Sequence, residues 1–186
     1  MIEQPVLDTL RLLLRPVEIF DSLDIQKSAG KREIADTMIS LPHPYPIGGA
    51  ERYIARMQKE READISVAYI IEKKVENEFC GLIELRDIDH EHLQGELSFW
   101  LAREAWGQGY MSEVAQVLVQ YGFEMLNLNR LYAYHMLRNP ATGRVLEKNG
   151  FRQEGLLRQR VQKRGQYEDV ALWAILRQDW QAGVEN

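Results

Sequence analysis

Two glycines, Gly107 and Gly109, stand between a strand-like run and a helix-like run in Ala105-Trp106-Gly107-Gln108-Gly109-Tyr110-Met111-Ser112-Glu113. Upstream, Gly95 to Leu101 alternates polar and apolar residues, the period of a strand with two unlike faces. Downstream, Val114, Val117, Leu118, Tyr121, Gly122 and Met125 recur at helical spacing and mark one buried stripe. Glycines at such a junction let the backbone turn tightly and remove side chains that would block a close ligand. Consecutive N–H groups and the positive end of the helix then face one point, which suits a pyrophosphate. A plain strand-to-helix turn with no ligand uses the same residues, so both readings stand at this level.

Other nucleotide chemistries fit less well. A Walker-type loop ends in Gly-Lys-Ser or Gly-Lys-Thr, and this turn contains no lysine. A dinucleotide fold requires a third small residue and an acid on the next strand. Here Ser112 stands at the third position and the run from Arg130 to His135 carries no acid.

A second candidate for chemistry is Glu96. On an alternating strand Glu96, Ser98 and Trp100 share one face, and Leu97, Phe99 and Leu101 share the other. A carboxylate beside an indole gains a raised pKa and attracts an incoming amine. The alternative is an acid at a strand end paired with an arginine. His90 and His92 flank Glu91 without a further ligand nearby, so a solvated turn is expected and no metal site. Cys80 lies in the apolar run Phe79 to Leu85 and reads as a buried structural thiol. Arg158, Arg160, Lys163 and Arg164 form a basic patch, either a solvated turn or a contact for acidic groups.

The elements that must position these residues follow from patterning. Leu7 to Arg15 reads as a first strand, and Ile19 to Ser28, Arg32 to Met38 and Ala50 to Ala63 as helices. Between the last two, Leu41-Pro42-His43-Pro44-Tyr45-Pro46 cannot continue a helix, because proline fixes φ and removes donors. Ser66 to Glu72 and Phe79 to Asp87 are expected strands joined by a charged turn. After the glycine turn and its helix comes a strand from Arg130 to His135. A helix from Asn139 to Asn149 stops at Gly150. Phe151 to Arg158 and Tyr167 to Ala174 form the last expected pair of strands, linked by Lys163-Arg164-Gly165-Gln166. The order is mixed α/β (α+β), with one domain expected over 1–186 and no internal repeat or linker.

The run from Gly95 to Gly155 resembles the coenzyme A-binding core of the GNAT superfamily, the acyl-CoA-dependent N-acyltransferases. Trp106-Gly107-Gln108-Gly109-Tyr110-Met111 fills the family's turn, and its form is similar to that of the ribosomal-protein N-terminal acetyltransferases. Met111 departs from the small residue usual at its position. Asn139-Pro140-Ala141-Thr142, Val145-Leu146-Glu147-Lys148-Asn149-Gly150-Phe151 and Glu154-Gly155 match in order, and Thr9 to Pro16 is like the branch's first strand. The likeness covers nearly the whole chain.

This resemblance implies a single GNAT-like domain with a mostly antiparallel sheet that splays open at its middle and carries helices on both faces. It further implies that Phe99-Trp100-Leu101 pairs with the pantetheine arm and that an N–H near Phe99 polarises the thioester. Gly107, Gln108, Gly109, Tyr110, Met111 and Ser112 would hold the pyrophosphate, with Trp106 also in the coenzyme site. Asn139 would support the pantetheine arm or cap its helix. The Thr142 hydroxyl would donate to the leaving sulfur, and Glu96 would act as base. Ser98, with His43 and Tyr45 of the proline-rich loop, would border the acceptor. Relatives often use a Glu as base and a Tyr as acid where this chain has Tyr134 and Leu146.

The functional expectation is an acetyl-CoA-dependent N-acetyltransferase without metal. Its acceptor would be a primary amine, foremost the N-terminus of a ribosomal protein. Alternatives are a small amine such as a polyamine, an amino acid or a toxin, or a non-catalytic acyl-CoA-binding module. A net charge of −5 argues against direct nucleic-acid binding. The 186 residues, 27% charged and 45% hydrophobic, are ordinary for a globular protein. One cysteine, no signal-like N-terminus and no long apolar run point to the cytoplasm and away from a membrane. Homodimerisation is compatible with the resemblance.

Overall fold

The computed structural model describes residues 2–184, so Met1, Glu185 and Asn186 of the expected 1–186 domain lie outside the described residues. Strands β1 (Leu7–Asp8) and β2 (Leu12–Pro16) open the chain. The first strand expected from Leu7 to Arg15 is therefore divided. The Thr9 hydroxyl accepts the Leu12 N–H at 2.9 Å, which closes a hairpin and leaves Leu10 exposed at its tip. Helices α1 (Ser22–Ala29), α2 (Arg32–Thr37) and α3 (Gly49–Glu62) follow, then β3 (Val67–Lys73), β4 (Phe79–Asp89) and β5 (Gln94–Leu101).

A short 3-10 turn, Arg103–Ala105, separates β5 from the glycines, and α4 (Tyr110–Glu124) begins directly after them. The rest of the chain is β6 (Arg130–Met136), α5 (Pro140–Lys148), β7 (Arg152–Lys163), β8 (Gln166–Leu176) and α6 (Arg177–Val184). Two expectations are corrected here. The last hairpin is longer than its patterning indicated, with only Arg164 and Gly165 between its strands, both at positive φ (52° and 78°). The terminal helix α6 was not anticipated. Its docking is tertiary, through Trp180 against Phe123 with ring centroids 5.4 Å apart.

Among the described residues, eight strands form one sheet in the order β1-β2-β3-β4-β5-β6-β8-β7. Neighbours are antiparallel except β5 and β6, which run parallel and pair only from Gln94–Arg130 to Glu96–Tyr132. Beyond Glu96 the two strands part, and the sheet opens as expected. Both faces are covered. Val67, Tyr69 and Ile71 of β3 pack with Ile83, Leu85 and Leu97 under Val114, Leu118 and Phe123 of α4. Ala68 and Ile70, one step out of phase, pack with Leu82 and Trp100 under Ile25, Ile34 and Ile54 of α1 to α3. Burial on both faces is why β3 reads as an unbroken apolar run. Among the described residues, no helix is long and apolar enough to cross a membrane.

Candidate active site

The parting of β5 from β6 creates the site. Residues Ser98 to Leu101 pair with β4 along one edge, and the other edge has no strand partner. The Ala102 N–H donates to the Cys80 carbonyl on the β4 side at 2.8 Å. Successive residues of a strand turn their N–H and C=O groups to alternate edges, so those of Phe99 and Leu101 face the opening. The Leu101 carbonyl there accepts the Trp106 indole N–H at 2.9 Å, which ties the glycine turn to the strand.

At the lower end of this edge lies the turn itself. Gly107 and Gly109 sit at φ +75° and +78°, a region that side-chain-bearing residues avoid. Gly109 is the N-cap of α4 and brings no side chain to cap it. The first intrahelical bond runs from Glu113 N–H to the Gly109 carbonyl at 3.2 Å, so the N–H groups of Tyr110, Met111 and Ser112 have no helical carbonyl to meet. A helix of 15 residues then adds its dipole at the same point. Arg11 braces the turn from outside, donating to the Gln108 carbonyl at 3.1 Å and pairing with Glu113 at 2.7 Å.

These elements enclose a cleft of about 450 Å³ between the β5 edge, the turn and α5. Phe99, Trp100, Leu101, Trp106, Gly107, Gly109, Tyr110, Met111, Ser112, Asn139 and Thr142 all line it. Met111 also packs in the core at 5% exposure, so its bulk is directed largely inward. Gln108 is absent from the lining, and its amide instead donates to the Glu104 carbonyl at 3.0 Å. Arg144 and Lys148 were missed by sequence reading. They lie four residues apart on α5 and both border the cleft, a cationic pair at helical spacing suited to phosphate. That spacing was the available signal. Free backbone edge, paired glycines, helix N-terminus and two cations together fit a long phosphorylated cofactor such as coenzyme A.

A second, narrower recess of about 40 Å³ meets the cleft. Four residues border both spaces: Thr37, Met38, Phe99 and Thr142. Asn139 organises this junction. Its side chain makes no helix cap; the amide donates to the Thr142 hydroxyl at 2.9 Å and to the Thr37 carbonyl at 3.2 Å. With its lone pair engaged, the Thr142 hydroxyl has its own hydrogen to give elsewhere.

Glu96 and Ser98 line the recess, with Arg86, Tyr134 and His135. Glu96 is buried at 8% exposure and is also paired with an arginine, Arg86, whose Nη2 lies at 2.5 Å, as the alternative reading expected. Burial raises its pKa and the Arg86 guanidinium opposes the rise. Behind Arg86 stands Glu84, 1% exposed, with Oε1 at 3.5 Å from the guanidinium and Oε2 without a hydrogen-bond partner. Burial pushes the Glu84 carboxyl up to about 7. His135 is held by two bonds. Nδ1 lies 2.9 Å from the Met136 carbonyl and Nε2 accepts the Trp173 indole N–H at 3.0 Å, which fixes the neutral tautomer.

His43 and Tyr45 are not brought to either space. His43 is exposed in the proline-rich loop. Tyr45 packs against the α1 to α3 core, and its phenol is raised chiefly by burial. Thr37 and Met38 take the place at the recess that this loop was expected to fill.

Comparison with known proteins agrees with this geometry. Residues 11–152 match the acetyltransferase (GNAT) domain. The N-acetyltransferase YoaA of Bacillus subtilis is 29% identical over 178 residues, 93% of this chain and 97% of its own. The solved spermidine N-acetyltransferase of Vibrio cholerae, in complex with CoA and spermine, superposes with TM-score 0.81 at 25% identity, covering 91% of this chain and 98% of that one. RimL, a ribosomal L7/L12 alpha-N-protein acetyltransferase solved with coenzyme A, shares the fold with TM-score 0.85 at 19% identity, over 92% and 98% of the two chains.

Proposed function

The chain belongs to the acetyltransferase (GNAT) domain family, and from that premise we propose that it moves the acetyl group of acetyl-CoA directly onto the N-terminal α-amine of a protein, a ribosomal protein first among them. The observation that carries the transfer step is the junction where Phe99 and Thr142 border both the cofactor cleft and the recess. A thioester lying along the free β5 edge would place its carbonyl there, opposite an amine entering past Glu96.

In this reading the pantetheine arm pairs with the backbone of Phe99 and Leu101, and the pyrophosphate rests on the N–H groups of the turn, with Arg144 and Lys148 alongside. The Phe99 N–H donates to the thioester oxygen as it gains charge. One such preorganised donor is worth about 3 kcal/mol in a transition state. An α-amine has a pKa of about 8 and is largely protonated at neutral pH, so a proton must leave before attack. Glu96 takes that proton. The amine nitrogen then bonds to the carbonyl carbon and the C–S bond breaks, while the nitrogen's second proton passes to the Thr142 hydroxyl as that hydroxyl gives its own hydrogen to the thiolate, leaving the amide and the free thiol. Ser98, on the Glu96 face of β5, borders the path of the amine.

A small polyamine is the second reading, favoured by the likeness to the Vibrio cholerae spermidine N-acetyltransferase over nearly the whole chain. Incubation with acetyl-CoA and either N-terminal peptides or spermidine, read by mass spectrometry and thiol release, tests both. Acetylated peptide is the expected product. Binding of acetyl-CoA with no transfer to any amine would leave only a coenzyme-binding module.

A further inference from the structure

The chain is acidic overall, with a net charge of −5, yet cations gather beside the acceptor recess. The β7–β8 hairpin brings this about. Its register breaks between Leu157 and Val161, and the Gln159 N–H is taken by Asp169 Oδ1 at 2.7 Å. Its tip is fastened across the recess. Lys163 Nζ donates to the Leu41 carbonyl at 2.7 Å, and Arg164 pairs with Asp36 at 2.5 Å. Asp36 and Leu41 bracket the four residues Thr37, Met38, Ile39 and Ser40, and all four line the recess. The hairpin cations therefore stand at its rim.

Four cations gather there. Arg138 pairs with Glu168 at 2.8 Å, and Arg138 and Arg164 are both near enough to Lys163 to help burial lower its pKa. Arg160 is exposed, and among the described residues no ion pair is found for it; its field reaches Glu96 and favours the ionised carboxylate. Asp36 pairs with Arg164 and also acts on Lys163, and Glu168 answers Arg138, which leaves Arg160 without an ion-paired carboxylate among the described residues. Glu96 lies inside the recess, and Asp87, exposed toward the end of β4, acts on it from outside. The site is thus bipolar, with a carboxylate where an amine arrives and guanidinium and ammonium groups outside. A polycation meets repulsion at such a rim, whereas an amine followed by carboxylates meets attraction at both ends.

We propose that Arg138, Arg160, Lys163 and Arg164 form a specificity rim that selects peptide N-termini with Asp or Glu in the residues just after the reacting amine. The inference rests on the acetyltransferase reading above and narrows its acceptor to acidic peptides over polyamines.

Paired N-terminal peptides, identical except for Asp or Lys at the second to fourth positions, separate this rim from the transfer chemistry. Their binding to the CoA-loaded protein is read by fluorescence anisotropy, and their acetylation by mass spectrometry, with spermidine alongside. The acidic peptide is expected to bind and react at least about tenfold better, with the difference shrinking at high salt as screening sets in. Arg160→Glu is expected to weaken the acidic peptide about fivefold or more and to improve the lysine peptide, with the affinity for acetyl-CoA as the folding control. Equal binding of the two peptides, or a preference for spermidine, overturns the rim. Preferential binding of the acidic peptide without acetylation upholds the rim and overturns the transfer reading.

Discussion

The side-chain amide of Asn139 donates to the Thr142 hydroxyl at 2.9 Å and to the Thr37 carbonyl at 3.2 Å, so one residue joins the end of α2 to the first turn of α5 at the junction of the two spaces. Because Asn139 supplies the hydrogen in the first of these bonds, Thr142 retains its own to give elsewhere, and the proposed reaction would use it on the leaving thiolate. The expected consequence is that Thr142→Ala lowers kcat by about 100-fold or more, the range of a lost proton donor, and changes the affinity for acetyl-CoA far less. Thr142→Ser restores most of the rate. Asn139→Ala falls between, since it frees the hydroxyl to rotate. Steady-state kinetics on the three variants checks the order, and an unimpaired Thr142→Ala excludes the hydroxyl from the step.

Glu96 carries a pKa raised by burial, opposed by Arg86. As base it must be ionised, so the rate should rise with pH through that raised value and again as the amine approaches its own pKa of about 8. Glu96→Gln is expected to cut kcat/KM and to erase the lower limb, leaving only the amine's own titration. A pH–rate profile that keeps both limbs in Glu96→Gln would assign the lower one to another group.

Glu84 bears on stability. Its folded-state pKa of about 7 lies above the ordinary carboxyl value of 4.5, so the folded protein binds the proton more tightly than the unfolded chain. Stability should therefore decline as pH rises from about 4.5 to 7 and level off above that. Glu84→Gln keeps the shape without the charge. It should flatten this decline and raise stability at pH 8 by up to about 3 kcal/mol, at 1.36 kcal/mol for each pKa unit. Urea denaturation at several pH values measures the slope.

The glycine turn predicts a pair of effects that a purely structural turn would not show together. Gly107 and Gly109 have open space around a would-be Cβ (nothing within 4 Å, and Arg11 Nη2 at 3.7 Å), so Ala there is opposed by backbone conformation alone. That costs about 1–2 kcal/mol, or a fall of about 2–8 °C in Tm for a chain of this size. Each variant should also weaken acetyl-CoA binding, because a methyl group then stands where the pyrophosphate approaches. Gly155→Ala, with equal space and no positive φ, is the control and should change neither.

Coenzyme binding itself is checked by heat. Acetyl-CoA at 100 times its Kd should add about 2.7 kcal/mol, a rise of about 5–10 °C. Free CoA should act alike, and NADH and ATP should not.

Much of this protein was legible in the chain because it is local. Alternation along Gly95 to Leu101, paired glycines and a helical stripe lie within thirty-odd neighbouring residues, and each follows from backbone geometry with a fixed period. Asn139 and Thr142 are three residues apart, so one helical turn brings them together wherever the helix lies. The alternation also put Glu96 on the face away from Leu97 and Phe99, as found. Where local pattern ceased to decide, reading failed. Nothing in Leu7 to Arg15 announces a hairpin except the Thr9 hydroxyl, and α6 is held by Trp180 on Phe123, far apart in sequence.

The recess belongs to tertiary structure. Arg86 meets Glu96 only through the antiparallel register of β4 on β5, and a shift of one residue would put the two on opposite faces. Thr37 and Met38 reach Phe99 only because α1 to α3 bury Ile25, Ile34 and Ile54 against Ile70 and Leu82. The basic patch seen in sequence gained a place only when Lys163 and Arg164 were fastened to Leu41 and Asp36. Spacing along a chain determines which side chains share a face, since the period of a helix or strand is set by the backbone. Which faces then meet depends on register and on the packing of distant layers, and those are properties of the folded whole.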